Sequence, residues 1–255
     1  MENIRIAVDH KEIIFDLSEM KTNIDGCEYP LDVVNNSTIF EAISNKQILI
    51  QPTAKTIKKS IPLYYCVRKL KSNISKNGRT YYMDMLLYKK KKDTFCFNYS
   101  NRSLGHKNDK NEIELHQVLS GEILEIVIDE NKIYVGVFSK GEYFEIPNNM
   151  FHCTYILKEN TVVANIYSNI FWGDDYKLKP YFEIINDINI VISKKDSYII
   201  DSLGTKIEIK NKQIVAKSEK YWDYTELNKL SKFPQEFILK RNIFEIIQDI
   251  NQIEV

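Results

Sequence analysis

Ile113-Glu-Leu-His-Gln-Val-Leu-Ser-Gly121-Glu-Ile-Leu-Glu-Ile-Val-Ile-Asp129-Glu-Asn-Lys132-Ile-Tyr-Val-Gly-Val-Phe138 decides how the chain is read. Three short apolar runs, Ile113–Leu119, Ile123–Ile128 and Ile133–Phe138, follow one another at hairpin spacing. Turn residues separate them. The pattern continues on both sides. Ile4–Val8, Glu12–Leu17, Ile61–Leu70, Tyr81–Tyr88 and Thr94–Tyr99 precede it. Tyr143–Ile146, Cys153–Leu157, Thr161–Tyr167, Ile188–Ile192, Tyr198–Ile200 and Lys206–Ile209 follow. Turn clusters at Lys89–Asp93, Asp129–Lys132, Ser139–Glu142, Lys158–Asn160 and Lys194–Ser197 lie between strands. With only 8 Gly and 6 Pro, these turns lean on Asn, Asp, Ser and Lys. Tyr, Ile and Val are abundant and suit pleated, half-buried surfaces. The expectation is a mainly β protein, a sandwich or barrel.

Helical periodicity is confined to the end of the chain. Ile243, Ile246, Ile247 and Ile250 recur at i, i+3, i+4 and i+7 downstream of Pro234, which predicts a helix near 235–250. Thr38–Ser44 is expected as one short turn or helix. The expected organisation is N-terminal strands and a short helix in 1–60, a barrel in 61–204, and a C-terminal hairpin and helix arm in 205–255. Tyr221-Trp-Asp-Tyr224 is expected as surface packing of that arm.

At 255 residues the chain can withdraw roughly three-quarters of its surface from water without disulfides. Lys+Arg is 35 and Asp+Glu is 35, so no basic surplus invites nucleic acid or an anionic membrane. No run of about 18 apolar residues predicts a membrane span, and the start lacks the build of a signal peptide. Cys27, Cys66, Cys96 and Cys153 show no C-x-x-C spacing. A reduced, cytoplasmic protein is expected, with Cys66, Cys96 and Cys153 as small apolar fillers.

Chemistry concentrates around three of the four histidines. Strand alternation points Glu112, Glu114 and His116 to one face and Leu115 and Gln117 to the other. His106 and Asn108 form a second same-face pair, and His152 follows Pro147 by five residues. A solvent-facing Glu114 stripe remains the alternative to an inward one. His10 lies in a charged turn and is expected in water.

These residues resemble the two motifs of the cupin superfamily. Gly141 through Pro147 to His152 resembles the second motif. Gly105-His106-Lys-Asn108, Glu114 and Gly121 resemble the first in part. Over residues 78–192 the sequence looks most like cupin-type glucose-6-phosphate isomerases. The further matches are Ser103-Leu-Gly105, Val118-Leu-Ser-Gly121, Ile166-Tyr167 and Gly173-Asp174-Asp175-Tyr176.

The resemblance implies an antiparallel jelly-roll barrel holding a divalent transition metal (Fe, Mn, Ni or Zn) on His106, Glu114 and His152. It implies substrate contacts from Ser103, Gly105, Tyr167, Asp174 and Tyr176, and acid–base roles for Glu114 and His116. The reaction would be an aldose–ketose isomerisation or epimerisation of a sugar or sugar phosphate, through an enediol. A homodimer is expected from the same likeness. The sequence departs from the family at Asn108, where the second ligand His is replaced, and at Asp174, which would repel a phosphate. His116 is placed to supply the missing nitrogen. A metal-dependent cupin oxygenase, a metal-free epimerase with His116 as base, and a non-catalytic sugar-binding cupin with a degenerate site remain alternatives.

Overall fold

The computed structural model describes residues 3–8, 11–35, 62–76, 79–89, 103, 106–107, 114–129, 132–146, 150–168, 189–194, 197–202, 205–218 and 223–226. They form nineteen strands: β1 (Asn3–Val8), β2 (Lys11–Asp16), β3 (Lys21–Ile24), β4 (Cys27–Pro30), β5 (Asp32–Asn35), β6 (Pro62–Lys76), β7 (Arg79–Tyr88), β8 (His106–Lys107), β9 (Glu114–Ser120), β10 (Glu122–Asp129), β11 (Lys132–Ser139), β12 (Tyr143–Ile146), β13 (Phe151–Ile156), β14 (Thr161–Ser168), β15 (Asn189–Lys194), β16 (Ser197–Ser202), β17 (Thr205–Lys210), β18 (Gln213–Ser218) and β19 (Asp223–Glu226).

Two sheets carry the barrel. One runs β12-β9-β14-β7-β6-β5 and the other β19-β11-β10-β13-β8. Taking β7 to β14 alone, the orders are β12-β9-β14-β7 and β11-β10-β13-β8, and the chain passes between sheets at nearly every turn. That strand order is the double Greek key of a jelly roll, the cupin-like antiparallel β-barrel expected from the sequence. The added strands sit at sheet edges: β6 and β5 extend one sheet, and β19 extends the other.

Inward residues alternate along each strand and meet in one apolar cluster. Leu86 and Tyr88 of β7, Val118 of β9, Ile123 and Val127 of β10, Phe138 of β11, Phe144 of β12, Ile156 of β13 and Val163 of β14 all belong to it. The outward residues of the six-stranded sheet are buried as well. Met83, Met85, Leu87, Leu115, Leu119, Ala164 and Ile166 pack under Ile4, Ile6, Val8, Ile13 and Phe15 of the N-terminal sheet β1-β2-β3-β4. Strand β9 therefore lies between two layers, and every residue from Glu114 to Leu119 is buried.

Gly121 makes the corner between β9 in one sheet and β10 in the other. Its φ is +81°, in the region where a side chain is strained. The corner is tied down by Glu122, whose N–H donates to Thr161 Oγ1 at 3.3 Å. The Glu122 carboxylate accepts from Ser139 Oγ at 2.8 Å and Lys158 Nζ at 3.2 Å.

Asp223–Glu226, which overlaps the Tyr221–Tyr224 segment expected as surface packing of the arm, is a strand paired in parallel with β11 at the sheet edge. A sheet edge offers unmatched backbone groups that such a segment satisfies. Strands β15 to β18 form a separate antiparallel meander. The helices expected at 38–44 and 235–250 and the strand at 94–99 lie outside the described residues. Cys66 and Cys153 are buried thiols outside any disulfide, and Cys27 is an exposed one. Burial pushes the Cys66 thiol up to about 11, which keeps it in the unreactive protonated form. Cys96 lies outside the described residues. No helix among the described residues is long and apolar enough to cross a membrane.

Candidate metal centre

Glu114 and His116 are two residues apart on β9, so both side chains point into the barrel. His152 comes from β13 in the facing sheet, two places before Thr154. Glu114, His116 and His152 are 2%, 4% and 3% exposed. One carboxylate joins them: His116 Nε2 lies 3.0 Å from Glu114 Oε1, and His152 Nε2 lies 3.5 Å from Glu114 Oε2. Asn165 Nδ2 of β14 donates to Glu114 Oε1 at 2.8 Å and orients that carboxylate. The edge of His116 meets the Phe144 ring, with centroids 4.9 Å apart.

The donor set fits a divalent transition metal. One donor atom from each of the three residues lies within 4.8 Å of the others. Ligands about 2.1 Å from an ion stand roughly 3.0 Å apart at a right angle and about 3.4 Å apart at the tetrahedral angle. The 3.0 and 3.5 Å separations, each to a different oxygen of Glu114, are of that size. Two imidazoles and a carboxylate make a borderline N/O set suited to Zn, Fe, Mn or Ni. Burial by itself lowers the His116 pKa. The hydrogen bond and charge of Glu114, with Glu125, outweigh it and hold the imidazole above its ordinary value. The carboxylates around His116 thus favour its protonated form.

The remaining sequence-predicted residues are placed as follows. The His106 backbone pairs directly with His152 across β8 and β13, and nothing of its side chain is described. Ser103 donates its N–H to the Thr154 carbonyl at 2.8 Å and accepts the Thr154 N–H at Oγ at 2.9 Å, so it continues the edge beside His152. The Tyr167 hydroxyl donates to Asp84 Oδ1 at 3.2 Å, and its ring stacks on Tyr82. Gly105, Asn108, Asp174 and Tyr176 lie outside the described residues. Glu114 faces inward, which decides against the solvent-facing alternative.

Sequence reasoning missed Glu125, Asn165 and Asp84. Each interrupts an inward stripe at period two: Glu125 between Ile123 and Val127, Asn165 between Val163 and Tyr167, and Asp84 between Tyr82 and Leu86. A carboxylate at a core position of a strand is a signal that was legible. Glu125 is fully buried, and its Oε2 accepts the Thr154 hydroxyl at 2.7 Å. Among the described residues its Oε1 has no hydrogen-bond partner.

Burial pushes the Glu125 carboxyl from 4.5 up to about 8, against the pull of His116 and the Thr154 hydroxyl. The native chain therefore keeps a proton here that the unfolded chain releases near 4.5. The associated stability is complete below pH 4.5 and is lost as pH rises towards 8. E125Q, which keeps a neutral side chain, should match the wild type at pH 5 and exceed it at pH 9 by on the order of 3 kcal/mol. Urea melts in chelator at both pH values check this. An unchanged wild-type-minus-E125Q difference between them would contradict the assignment.

No protein-family model and no curated protein sequence matches the chain. Solved structures overlap it in part. A mutant of Bacillus subtilis oxalate decarboxylase is 14% identical over 44% of this chain and 27% of its own, with a TM-score of 0.34. A recombinant oxalate oxidase in complex with glycolate is 19% identical over 35% of this chain and 41% of its own, with a TM-score of 0.29. Peruvianin-I, a cysteine peptidase from Thevetia peruviana latex, is 19% identical over 35% and 50%, with a TM-score of 0.29. The chain thus spans half or less of each of these. The strand order, not these overlaps, defines the fold.

Proposed function

We propose that this barrel is a metal-dependent isomerase or epimerase of a sugar or sugar phosphate. The observation that carries this reading is the buried set of Glu114, His116 and His152, with donor spacings that suit one ion. These three side chains would hold the metal, and Asn165 orients Glu114. A bound divalent ion supplies Lewis acidity towards a carbonyl or hydroxyl oxygen. Aldose–ketose exchange also needs a group that gives and takes a proton beside the carbon chain. Glu125 is a carboxyl in the same interior that the metal set leaves uncommitted, and burial keeps it protonated near neutral pH. The apolar inward residues around it, Val118, Val127 and Phe144, exclude water from such a transfer.

The same two imidazoles and one carboxylate also suit oxygen chemistry on iron, which is the second reading. Metal analysis of purified protein followed by sugar turnover in deuterated water separates the two. Stoichiometric metal and solvent deuterium at C2 of the product support the isomerase. Oxygen uptake by anaerobically iron-loaded protein, with no deuterium in any sugar, supports the second. Protein that takes up no divalent ion removes both.

A further inference from the structure

We infer that Arg68 and Lys69 form an anion-binding subsite on the inner face of the barrel, built by a bulge in β6. It would take the phosphate or carboxylate group of a small substrate. This deepens the reading of the centre as a sugar-converting site and rests on it for the identity of the rest of the ligand.

The bulge is visible in the strand register. Val67 pairs with Met85 and Lys71 with Met83, so residues 68, 69 and 70 stand opposite Asp84 alone. Lys69 has φ +51°, the left-handed turn that such an insertion uses. Without a bulge, alternation would put Arg68 inside and Lys69 outside. Cys66 lies in the inner cluster and Leu70 packs against the outer one. The extra residues bring both cations to the inner side. Arg68 Nη1 donates to Asp84 Oδ2 at 2.7 Å, and Lys69 Nζ sits 5.1 Å from the centroid of the inward Tyr82 ring.

Asp84 is the clamp for this arrangement. It is 2% exposed and accepts from the Arg68 guanidinium, the Lys69 backbone N–H at 2.8 Å and the Tyr167 hydroxyl. The carboxylate lies behind while the Arg68 side chain remains 44% exposed. The Arg68 guanidinium and the Lys69 backbone N–H both bond to one carboxylate, Asp84, and Asp32 stands across from Cys66 one strand further out. Arg68 has five N–H donors; one goes to Asp84, and Tyr64 and Cys66 also take hydrogen bonds from the guanidinium. A forked guanidinium beside an ammonium is the donor pair that carboxylate and phosphate groups select.

The subsite shares a row with the metal set. Asp84 pairs with Asn165, and Asn165 with His116, so one line runs β6-β7-β14-β9 from Arg68 to His116. At about 4.8 Å per strand the ends of that row are roughly 14 Å apart at Cα. Both ends project side chains to the same face of the sheet, which puts the subsite and Glu114 on one side of the wall.

The test titrates the full chain with inorganic phosphate and, separately, with acetate, by calorimetry. Wild-type protein should bind at least one of them; tighter phosphate binding assigns a phosphorylated substrate and tighter acetate binding a carboxylated one. K69Q should weaken the bound anion at least fivefold, and K69R should retain it. Metal content of K69Q should equal that of the wild type. Absence of binding by either anion, or equal binding by K69Q and wild type, overturns the inference. Anion binding in a protein that takes up no metal would instead sink the isomerase reading and leave the subsite standing.

Discussion

E114Q should lose divalent-metal affinity by at least about 100-fold while keeping its β-sheet circular dichroism. Glu114 is the one residue of the three that lies against both imidazoles. The amide is the same size but neutral, and one of its two arms is a donor rather than a ligand. The substitution also has a signature in metal-free protein. Glu114 raises the pKa of His116 above its ordinary value, against burial. Stability from that pairing is full below about pH 6.5 and fades as pH rises through the raised native pKa. Removing the carboxylate should therefore cost more at pH 5.5 than at pH 8.5. The acidic value should approach the 3–5 kcal/mol typical of breaking a buried pair. Competition with a chromophoric chelator reads the first effect, and urea melts in EDTA read the second. An E114Q protein that binds metal like the wild type would end the case for this centre.

G121A should destabilise the fold by more than about 3 kcal/mol, through backbone strain and overpacking together. A Cβ at Gly121 would lie 2.2 Å from Thr161 Oγ1 and 2.8 Å from the Thr161 Cα. The second contact is backbone and cannot swing aside, because Thr161 lies in β14 and pairs with Tyr88 of β7. The φ of +81° adds a penalty of its own. Gly26 supplies the control: its φ is +84°, and a Cβ there meets nothing within 4 Å. G26A should lose only about 1 kcal/mol, the cost of the dihedral alone. Thermal or urea melts of both variants compare the two sites. Equal losses at 26 and 121 would show that the corner is not crowded.

The barrel strands were legible because alternating Ile, Val, Tyr and Phe between turn clusters can bury a face only by pairing into sheets. The short strands β3, β4, β5 and β8 were not. Lys21–Ile24 and Cys27–Pro30 carry too few apolar residues to signal a strand, and pairing with neighbours makes them one. The site was half legible. Spacing alone placed Glu114 and His116 on one face, and the family resemblance singled out His152 as a ligand. It gave no sign that Asn165 would steady Glu114. The bulge at Arg68 was likewise invisible, because local sequence does not say which residue a partner strand skips.

The amino-acid order by itself determined the mainly β class, most strand positions and the shared face of Glu114 and His116. All of these follow from periodicity and turn chemistry within a few residues. Only the tertiary structure decided that this face turns inward, that His152 arrives from the opposite sheet to meet it, and that Glu125 and Asp84 are buried. Those outcomes depend on which strands pair and which layers cover them. The covering of the outer face by the N-terminal sheet lets β9 be buried on both sides, and that burial gives its polar residues their chemistry.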